Sequence, residues 1–484
     1  MSWQSPPTLL QLAIQSLLRN EALAISALQD LPMEVFPPLF KEASIQRKAK
    51  MIKGLVADWP YPCLPVGLLM RNPNLETYQA VLDGADTWLK RKFRPRKPNL
   101  QVLDMRNVQY DSCDMRAERE GRDSWMKTVL EKQVVKGQPR STVRCLKVVS
   151  DLAFMCSPNV YQTQLLKWAE KRKGSLKLYC VKMEIGASEV YRALKVLQFL
   201  QPEFIKEVKL NTVSGLPALA SFAPCISKMS NLRKLQLLRI FGKSNHTHKE
   251  EKHITKIISV VSKLNHLQHL TIHDVYFLKA HVEQLFRCLK PSLESLSITY
   301  CQLLQPDLES FAQGWNHCQL KQLSLKGTVL LGLDVTPLKF FLESIAETLR
   351  ILELEYCKMK DHQLGLLLPA LRQCSQLTCI NFYDNDISMD VLKNLLHSAA
   401  SLSQLTMELY PAPAEVYDVH GYVIEERFSH YCAELMNTVI LVRQPQSICF
   451  GSYNCYDCNM RYVYEEKTKP CDCSQEIQED DFED

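Results

Sequence analysis

Four cysteines near the C-terminus have the residue type and spacing that could bind a metal ion. Cys455 and Cys458 form a Cys-x-x-Cys pair, and Cys471 and Cys473 follow as a Cys-x-Cys pair. Structural zinc takes four thiolate or imidazole ligands; the first pair has the spacing typical of such sites, whereas a pair separated by one residue is less usual. The sequence therefore predicts a zinc site, with reduced thiols in a loose tail as the alternative. No other cofactor is expected.

No other group of residues has a spacing that predicts catalysis. The chain contains 15 glycines, but no glycine-rich phosphate loop, no Gly-x-Ser-x-Gly motif and no His-Glu-x-x-His motif. His420 and Cys432 have no spacing that favours a catalytic dyad over chance. We therefore expect a protein that is not an enzyme and that acts by binding other molecules.

A recurring Leu-x-x-Leu-x-Leu pattern defines the elements that must position any binding site. Successive copies begin 25 to 35 residues apart, which is long enough for one strand and one helix each. The pattern predicts an α/β fold, a leucine-rich repeat horseshoe with parallel strands on its concave face and helices on its convex face. The copies are Leu232, Leu235, Leu237; Leu267, Leu270, Ile272; Leu293, Leu296, Ile298; Leu320, Leu323, Leu325; Leu349, Leu352, Leu354; Leu377, Ile380, Phe382; and Leu402, Leu405, Met407.

The ends of such an array need caps, because each repeat buries its apolar side only against its neighbours. We expect residues 1–99 to form an N-terminal helical cap and residues 100–410 to form the repeats. Residues 411–484 should form a C-terminal cap with a cysteine-rich acidic tail. A polar stretch at about 111–141 lacks periodicity and predicts a flexible insertion.

Leucine spacing predicts the helices of the N-terminal cap. One helix should cover residues 8–29. A second helical segment should begin near Leu31, be interrupted at Pro37 and Pro38, and resume over residues 41–56. We therefore expect several short helices to pack together before the first strand.

Several features of composition limit where the protein acts. No apolar run approaches the roughly 18 to 20 residues of a membrane span, and the N-terminus lacks a secretion signal. We therefore expect a protein of the cytoplasm, or of the cytoplasm and the nucleus. Its cysteines should be reduced, and it should have no membrane partner. Nucleic acid is not an expected partner, because no recognised DNA-binding motif accompanies the net charge of +5.

Some repeat residues have both a structural and a functional interpretation. Cys301 and Cys357 lie three residues after a strand leucine, where this repeat type uses Asn or Cys to bind backbone groups as the strand turns. Two Leu-x-x-Leu-Leu matches, at Leu364–Leu368 and Leu392–Leu396, resemble receptor-docking motifs. We expect these leucines to belong to the core, because a repeat helix must bury them.

The polar residues between the strand leucines should form a protein-binding surface on the concave face. Along the array, basic or neutral character gives way to acidic character, which could orient a protein substrate by charge. Solubility alone would also produce a varied polar face. The predicted contact residues are Lys234, Gln236, His269, His273, Gln322, Lys326, Glu353, Glu355, Tyr383 and Glu408.

Several longer segments resemble the PRAME (preferentially expressed antigen in melanoma) family. They include SLLRNEALAISALQDLPMEVFPPLFKEA and NLETYQAVLDGADTWL near the N-terminus, and CSQLTCINFYDNDIS and VHGYVIEER near the C-terminus. The founding member of that family is regarded as the substrate receptor of a cullin-2 RING ubiquitin ligase. The resemblance therefore implies elongin B-C, cullin-2 and a RING subunit as partners, together with a protein substrate.

That role requires two adaptor motifs, and the sequence contains a match to each. The elongin-binding box, Thr or Ser followed by spaced apolar residues, fits Thr8, Leu9, Ala13 and Leu17. Positions 9, 13 and 17 repeat every four residues, so they form one ridge of a helix that could bind in an apolar groove. The cullin-2 box fits Leu31, Pro32, Val35 and Leu39.

Three alternatives remain open from the sequence. The N-terminal helices could only cap the repeats. The segment LPMEVFPPLF also resembles the start of an F-box, which binds a different ligase adaptor. The family resemblance also allows a non-degradative scaffold or transcriptional corepressor that affects proliferation, differentiation and apoptosis, with germline expression.

Overall fold

The computed structural model describes residues 7–70, 73–91, 100–106, 145–172, 174–186, 188–211, 215–241, 247–312 and 319–471. The chain divides into two compact units, Met1–Met183 with Tyr191–Ile205, and Glu184–Val190 with Lys206–Asp484. The predicted insertion at about 111–141, Cys473 and the acidic tail lie outside the described residues. Within the described residues, no helix has the length and apolar character needed to cross a membrane.

The N-terminal part of the first unit contains several short helices, as the sequence predicts. They are α1 (Leu9–Arg19), α2 (Glu21–Ser26), α3 (Phe36–Ile45), α4 (Ala49–Ala57), α5 (Val66–Leu69) and α6 (Leu75–Lys90). The predicted helix over 8–29 breaks at Asn20, which has non-helical torsions of φ −109° and ψ 62°. The predicted interruption at Pro37 and Pro38 is wrong, because both prolines occupy the first turn of α3, where a helix needs no N–H donor.

A close helix crossing and an aromatic cluster pack this helical region. A Cβ atom on Gly84 of α6 would lie 2.6 Å from the Lys53 carbonyl oxygen of α4, so only glycine permits this approach. The Trp59 ring meets Phe36 and Phe40 edge-on, with centroids 6.1 and 5.8 Å apart. These contacts anchor α3 and α4, which lie next to α1 and α2 in the chain.

The first strand of this unit lies between α4 and α5, and the other strands follow α6. The strands β1 (Cys63–Pro65), β2 (Val102–Asp104) and β3 (Leu146–Phe154) are parallel neighbours, and α7 (Val160–Glu170) follows β3. The division between the two units falls around β4 (Leu176–Ile185) and α8 (Val190–Leu197).

The second unit is a leucine-rich repeat array, which confirms the predicted fold class. Its strands are β5 (Glu207–Asn211), β6 (Lys234–Ile240), β7 (His269–Val275), β8 (Ser295–Thr299), β9 (Gln322–Ser324), β10 (Ile351–Glu353), β11 (Cys379–Asn381), β12 (Met407–Pro411) and β13 (Ile448–Gly451), all parallel, then the antiparallel hairpin β14 (Val463–Tyr464) and β15 (Thr468–Lys469). Its helices are α9 (Leu216–Ile226), α10 (His248–Val261), α11 (Val282–Cys288), α12 (Gln305–Glu309), α13 (Thr336–Ser344), α14 (Asp361–Gln373), α15 (Met389–Ala399) and α16 (Glu425–Val442).

The strand leucines stack in register and form the core of this unit. One buried row runs through Leu235, Leu270, Leu296, Leu323, Leu352 and Ile380 on successive strands. The helix leucines pack beneath it: Leu364, Leu367, Leu392, Leu395 and Leu396 are all buried. The core interpretation of the two Leu-x-x-Leu-Leu matches is therefore confirmed for these five leucines, whereas Leu368, the last leucine of the first match, is half-buried.

A repeated turn follows the strands. The residue two positions after the last strand leucine has a positive φ in six successive repeats, at Arg239, Asp274, Tyr300, Gly327, Tyr356 and Asp384. In the last four of these repeats the side chain of the next residue donates a hydrogen bond back to the preceding repeat, from Cys301, Thr328, Cys357 and Asn385. Cys301 Sγ contacts the Ile272 carbonyl oxygen at 3.8 Å, and Cys357 Sγ contacts that of Leu325 at 3.2 Å. The structural role predicted for both cysteines is confirmed.

The last predicted repeat, Leu402, Leu405 and Met407, is shifted from its true register. Ile380 of β11 pairs with Glu408 of β12, so the repeat is Leu405, Glu408 and Tyr410. A carboxylate therefore occupies a position where the pattern requires leucine, and leucine spacing could not identify it. The parallel sheet then continues through β13, beyond the predicted end of the repeats at residue 410.

Candidate protein-binding surfaces

The elongin-box residues of the first unit lie on the exposed side of α1. Thr8 is the N-cap: its Oγ1 accepts a hydrogen bond from Gln11 N at 3.3 Å, and its own N–H donates to Gln11 Oε1 at 2.7 Å. This reciprocal pair satisfies two backbone donors that a helix start leaves without intrahelical partners. The Thr or Ser that opens the box therefore fixes where the helix begins, and with it the direction of the side chains that follow.

One face of α1 is buried against the first unit and the other is exposed to solvent. Ile14 and Leu18 are buried and hold the helix on the unit. Leu9 is 86% exposed, Ala13 is exposed and Leu17 is half-buried. Three predicted contact residues thus form an accessible ridge with a small residue in the middle. A helix that served only as a cap would instead turn its leucines inward, because burying one leucine contributes about 1.5–3 kcal/mol.

The cullin-box residues are divided between surface and core. Pro32 is exposed and precedes a 3-10 turn over Met33–Val35, and Leu31 and Val35 are half-buried. Leu39 is fully buried within α3. Leu31, Pro32 and Val35 are therefore accessible to a partner, whereas Leu39 packs the helical core.

Nine of the ten predicted concave-face residues lie on or beside the open face of the sheet in the second unit, and all nine are half-buried. They are Lys234, Gln236, His269, His273, Gln322, Lys326, Glu353, Glu355 and Tyr383. The strand registers align the residues of the first outward position in one row, which reads Lys234, His269, Ser295, Gln322, Ile351, Cys379 and Met407. This row changes from polar to apolar along the array.

Glu408 is the tenth, and its prediction as a concave-face residue is wrong because its side chain is fully buried. Glu408 Oε1 accepts a hydrogen bond from Arg443 Nη1 at 2.7 Å, and Arg443 Nη2 donates to Oε2. Tyr410 Oη also donates to Oε2, at 2.7 Å. The carboxylate thus joins the last repeat to the C-terminal end of α16.

The predicted change from basic to acidic character is weaker than the sequence indicates. Glu355 is neutralised by Lys326, whose Nζ lies 2.9 Å from its carboxylate, and it accepts a further hydrogen bond from Asn381 Nδ2 at 2.8 Å. At the other end, burial lowers the pKa of His269, although Glu294 opposes this effect. Burial therefore disfavours the charged form of His269. Apolar character distinguishes the two ends of this face better than charge does.

A row of aromatic side chains borders the open face, and the sequence prediction missed it. Tyr300 and Tyr356 are 44% and 40% exposed, and their ring centroids lie 6.5 Å apart. His273 meets Tyr300 edge-on at 5.3 Å, and Lys358 Nζ lies 5.8 Å from the Tyr356 ring. We call His273, Tyr300, Tyr356 and Lys358 the aromatic edge.

Gly327 makes the aromatic edge continuous. It lies between the two tyrosines in the repeat order, and a Cβ atom there would lie 2.5 Å from Tyr300 Cδ1. The repeated Tyr-Cys pair, at residues 300–301 and 356–357, was the available signal, because the cysteine position fixes the position of the exposed tyrosine before it. Tyrosine is enriched among the residues that dominate binding energy at protein interfaces.

The structure brings together three of the four predicted zinc ligands. The sulfur atoms of Cys455, Cys458 and Cys471 all lie within 4.8 Å of one another. Cys473 lies outside the described residues.

Comparison with known proteins identifies the family of this chain. Two family models match most of the chain, the PRAME N-terminal domain over residues 6–112 and the PRAME C-terminal domain over residues 146–473. The chain is 55% identical to Preferentially expressed antigen in melanoma-like protein 7 of Mus musculus, over 96% of this chain and 97% of that protein. It is 40% identical to PRAME family member 12 of Homo sapiens, over 97% and 98%. A likeness to the crystal structure of the Rad7 and Elc1 complex in yeast has a TM-score of 0.39 and 13% identity, and covers 84% of this chain and 94% of that chain. The chain therefore belongs to the PRAME family.

Proposed function

We propose that this protein is the substrate-recognition subunit of a cullin-2 RING ubiquitin ligase. It binds elongin B-C through α1, binds cullin-2 through the segment around Pro32, and binds its protein substrate through the second unit. It has no active site of its own, and recruited subunits carry out ubiquitin transfer. Its contribution is to hold the substrate close to them in a suitable orientation.

The exposed ridge of α1 is the observation that carries this proposal. Leu9 and Ala13 are exposed, while Ile14 and Leu18 on the other side of the same helix are buried. A helix fixed by one face with an apolar ridge on the other is suited to binding in a groove. Pro32 lies close behind in the sequence and is exposed too, so both adaptor motifs present residues to solvent.

The substrate surface is the open face together with the aromatic edge. Tyr300 and Tyr356 provide large, partly exposed rings beside a polar strand face. Such anchors, surrounded by polar groups, are the usual arrangement of an interface in which a few residues contribute most of the affinity.

The first experiment measures binding of purified elongin B-C to the folded full-length protein by calorimetry. We expect Leu9→Asp to weaken binding at least tenfold, because a carboxylate would have to enter an apolar groove. Leu23→Asp is the matched control, since Leu23 of α2 is also a highly exposed leucine, at 70%, but lies outside the box. Both variants should melt within a few degrees of the wild type.

A second measurement separates the adaptors. Affinity purification from cells should recover elongin C and cullin-2 with the wild type, and Pro32→Ala should reduce cullin-2 recovery while retaining elongin C. Failure of the folded wild type to bind elongin B-C would refute the proposal. Recovery of the F-box adaptor instead would keep the ligase class but replace cullin-2. Recovery of neither adaptor, with chromatin occupancy unaffected by Leu9→Asp, would favour the corepressor function.

A further inference from the structure

The C-terminal segment of the second unit brings the sulfur atoms of three cysteines close together. Strand β13 ends at Gly451, the chain turns through Cys455 and Cys458, and the β14–β15 hairpin returns it to Cys471. The three sulfur atoms lie within 4.8 Å of one another, and Cys471 is buried. Within the described residues, this is the one group of three or more His, Cys, Asp or Glu side chains close enough to hold a metal ion.

Backbone hydrogen bonds shape the turn that carries the first two cysteines. Cys455 N donates to the Met460 carbonyl oxygen at 2.6 Å, and Asn459 N donates to that of Cys455 at 3.0 Å. Asn459 has a φ of 57°, a conformation that asparagine adopts more readily than most residues. The chain therefore doubles back directly after Cys458, so both side chains of the Cys-x-x-Cys pair face the same side.

The neighbouring contacts fix this turn against the last repeats. The Arg461 guanidinium lies 4.5 Å from the centre of the Tyr383 ring and forms an ion pair with Asp384 at 3.2 Å. Arg461 Nη1 also donates to the Ser452 carbonyl oxygen at 3.2 Å, and Tyr462 N donates to Ser452 Oγ at 3.0 Å. These contacts hold the chain on the C-terminal side of the Cys455–Cys458 turn against the last repeats.

Three sulfur atoms brought together fit a metal better than they fit a disulfide. A disulfide joins two sulfurs at about 2.05 Å and would leave the third without a role. Zinc binds thiolates at about 2.3 Å, which places tetrahedral sulfurs roughly 3.8 Å apart, within the limit observed here. By contrast, burial raises the pKa of the Cys301 thiol to about 11 and that of Cys374 to about 12, so those cysteines are inert core residues.

We propose that Cys455, Cys458 and Cys471 bind a structural zinc ion. The thiolates come from the turn after β13 and from the end of the hairpin, so the ion stabilises the fold. It ties the turn after β13 to the end of the hairpin, and so fastens the segment that closes the repeat array. This site is independent of the proposed ligase function.

The test is metal analysis of the full-length protein purified without chelator. We expect about one zinc per chain, and cobalt(II) substitution should give the absorption of tetrahedral thiolate coordination. Cys458→Ser and Cys471→Ser should each lower zinc affinity at least tenfold. Cys156→Ser, at an exposed cysteine outside the cluster, should retain full zinc content.

A measurement on the wild type covers the case in which a variant fails to fold. A thiol-specific mercurial should release zinc in proportion to the cysteines it modifies, and chelation should lower the melting temperature, since a ligand bound only by the native state stabilises it. A folded wild type without stoichiometric zinc, in which the cluster thiols react freely, would overturn the proposal. Unchanged zinc affinity in a folded Cys458→Ser protein would overturn it too.

Discussion

At the residue scale, the buried Glu408 has the largest structural consequence. Its carboxylate accepts hydrogen bonds from Nη1 and Nη2 of Arg443 and from the Tyr410 hydroxyl. Burial and the nearby carboxylate raise the pKa of Tyr410 well above its usual value. A buried ion pair of this kind is strongly destabilising when one partner is removed, yet well-packed apolar residues often replace the whole pair without loss.

This predicts a contrast between single and double variants. Glu408→Ala should lower the free energy of unfolding by about 3–5 kcal/mol, because Arg443 would keep a buried charge without its carboxylate partner. Glu408→Leu combined with Arg443→Met should recover most of that loss, because it restores the leucine pattern. Urea denaturation of the three proteins measures the difference. Equal losses in the single and double variants would show that the pair itself is the source of stability.

A second residue-scale prediction concerns Asp151 in the first unit. Burial raises the pKa of Asp151 to about 6, while Arg106 and the hydrogen bond from Lys182 N oppose the shift and Asp104 adds to it. Because the folded-state pKa exceeds the unfolded value, the folded state binds more protons between about pH 4 and pH 6. This group therefore destabilises the protein as pH rises through that window.

Asp151→Asn should remove this contribution. We expect the variant to gain about 1–3 kcal/mol over the wild type at pH 7, and to lose the advantage near pH 4. Asparagine keeps an oxygen that can accept the hydrogen bond from Lys182 N. Melting temperatures of both proteins between pH 4 and pH 7 provide the comparison, and parallel curves would contradict the prediction.

At the element scale, the repeats were predictable and their exceptions were not. Leucine spacing identified the strands from Leu235 to Phe382, because each leucine fills the same position in the stack. It failed at Glu408, where an arginine more than thirty residues away in the sequence satisfies the charge. It also placed the helix break at Pro37, since proline begins helices as readily as it ends them.

The residues of the candidate adaptor site were also predictable from the sequence only in part. The periodicity of α1 gave the exposed ridge, but only the packing of α3 separates the buried Leu39 from its accessible neighbours. We expect Leu39→Ala to cost about 2–5 kcal/mol of stability, so any loss of cullin-2 binding by it would reflect unfolding. Thermal denaturation before the binding assay checks this. A variant as stable as the wild type would return Leu39 to the contact surface.

The aromatic edge depends on one glycine, which gives a further prediction. Gly327→Ala should destabilise the protein by at least about 1 kcal/mol, because φ is 71° and the new methyl group would contact Tyr300. In a Tyr300→Ala background the same change should cost less, since the contact is gone. Gly365→Ala, in α14 with no atom within 4 Å of its Cβ position, is the control and should not destabilise. Equal costs in both backgrounds would mean that backbone strain alone is responsible.

At the scale of the whole molecule, the end of the array must be closed. The last parallel strand, β13, pairs with β12 on one side and with the hairpin on the other, and Phe450 stacks on Tyr410 at 5.8 Å. An open strand edge would present unpaired backbone groups to other molecules.

A chain that ends at Gln444 should therefore self-associate. It keeps Arg443 but loses β13 and the hairpin, so the edge of β12 becomes available for pairing. Light scattering over a range of concentrations should show growing particles for this chain and a constant mass for one that ends at Cys473. A stable monomer ending at Gln444 would show that the array needs no closing strand.

The residue with positive φ in each turn is a position where related chains can differ in sequence without a change of fold. Glycine at Arg239, Tyr300 or Tyr356 would relieve backbone strain but would increase the conformational freedom of the unfolded chain, and these two effects are of similar size. The free energy of unfolding should therefore differ little between glycine and an unbranched side chain at this point of the turn, whereas a β-branched side chain would be strained there. Relatives could exchange residues there and change what they recognise while their cores stay as they are, so combinatorial libraries at these three positions should yield new specificities with few misfolded members.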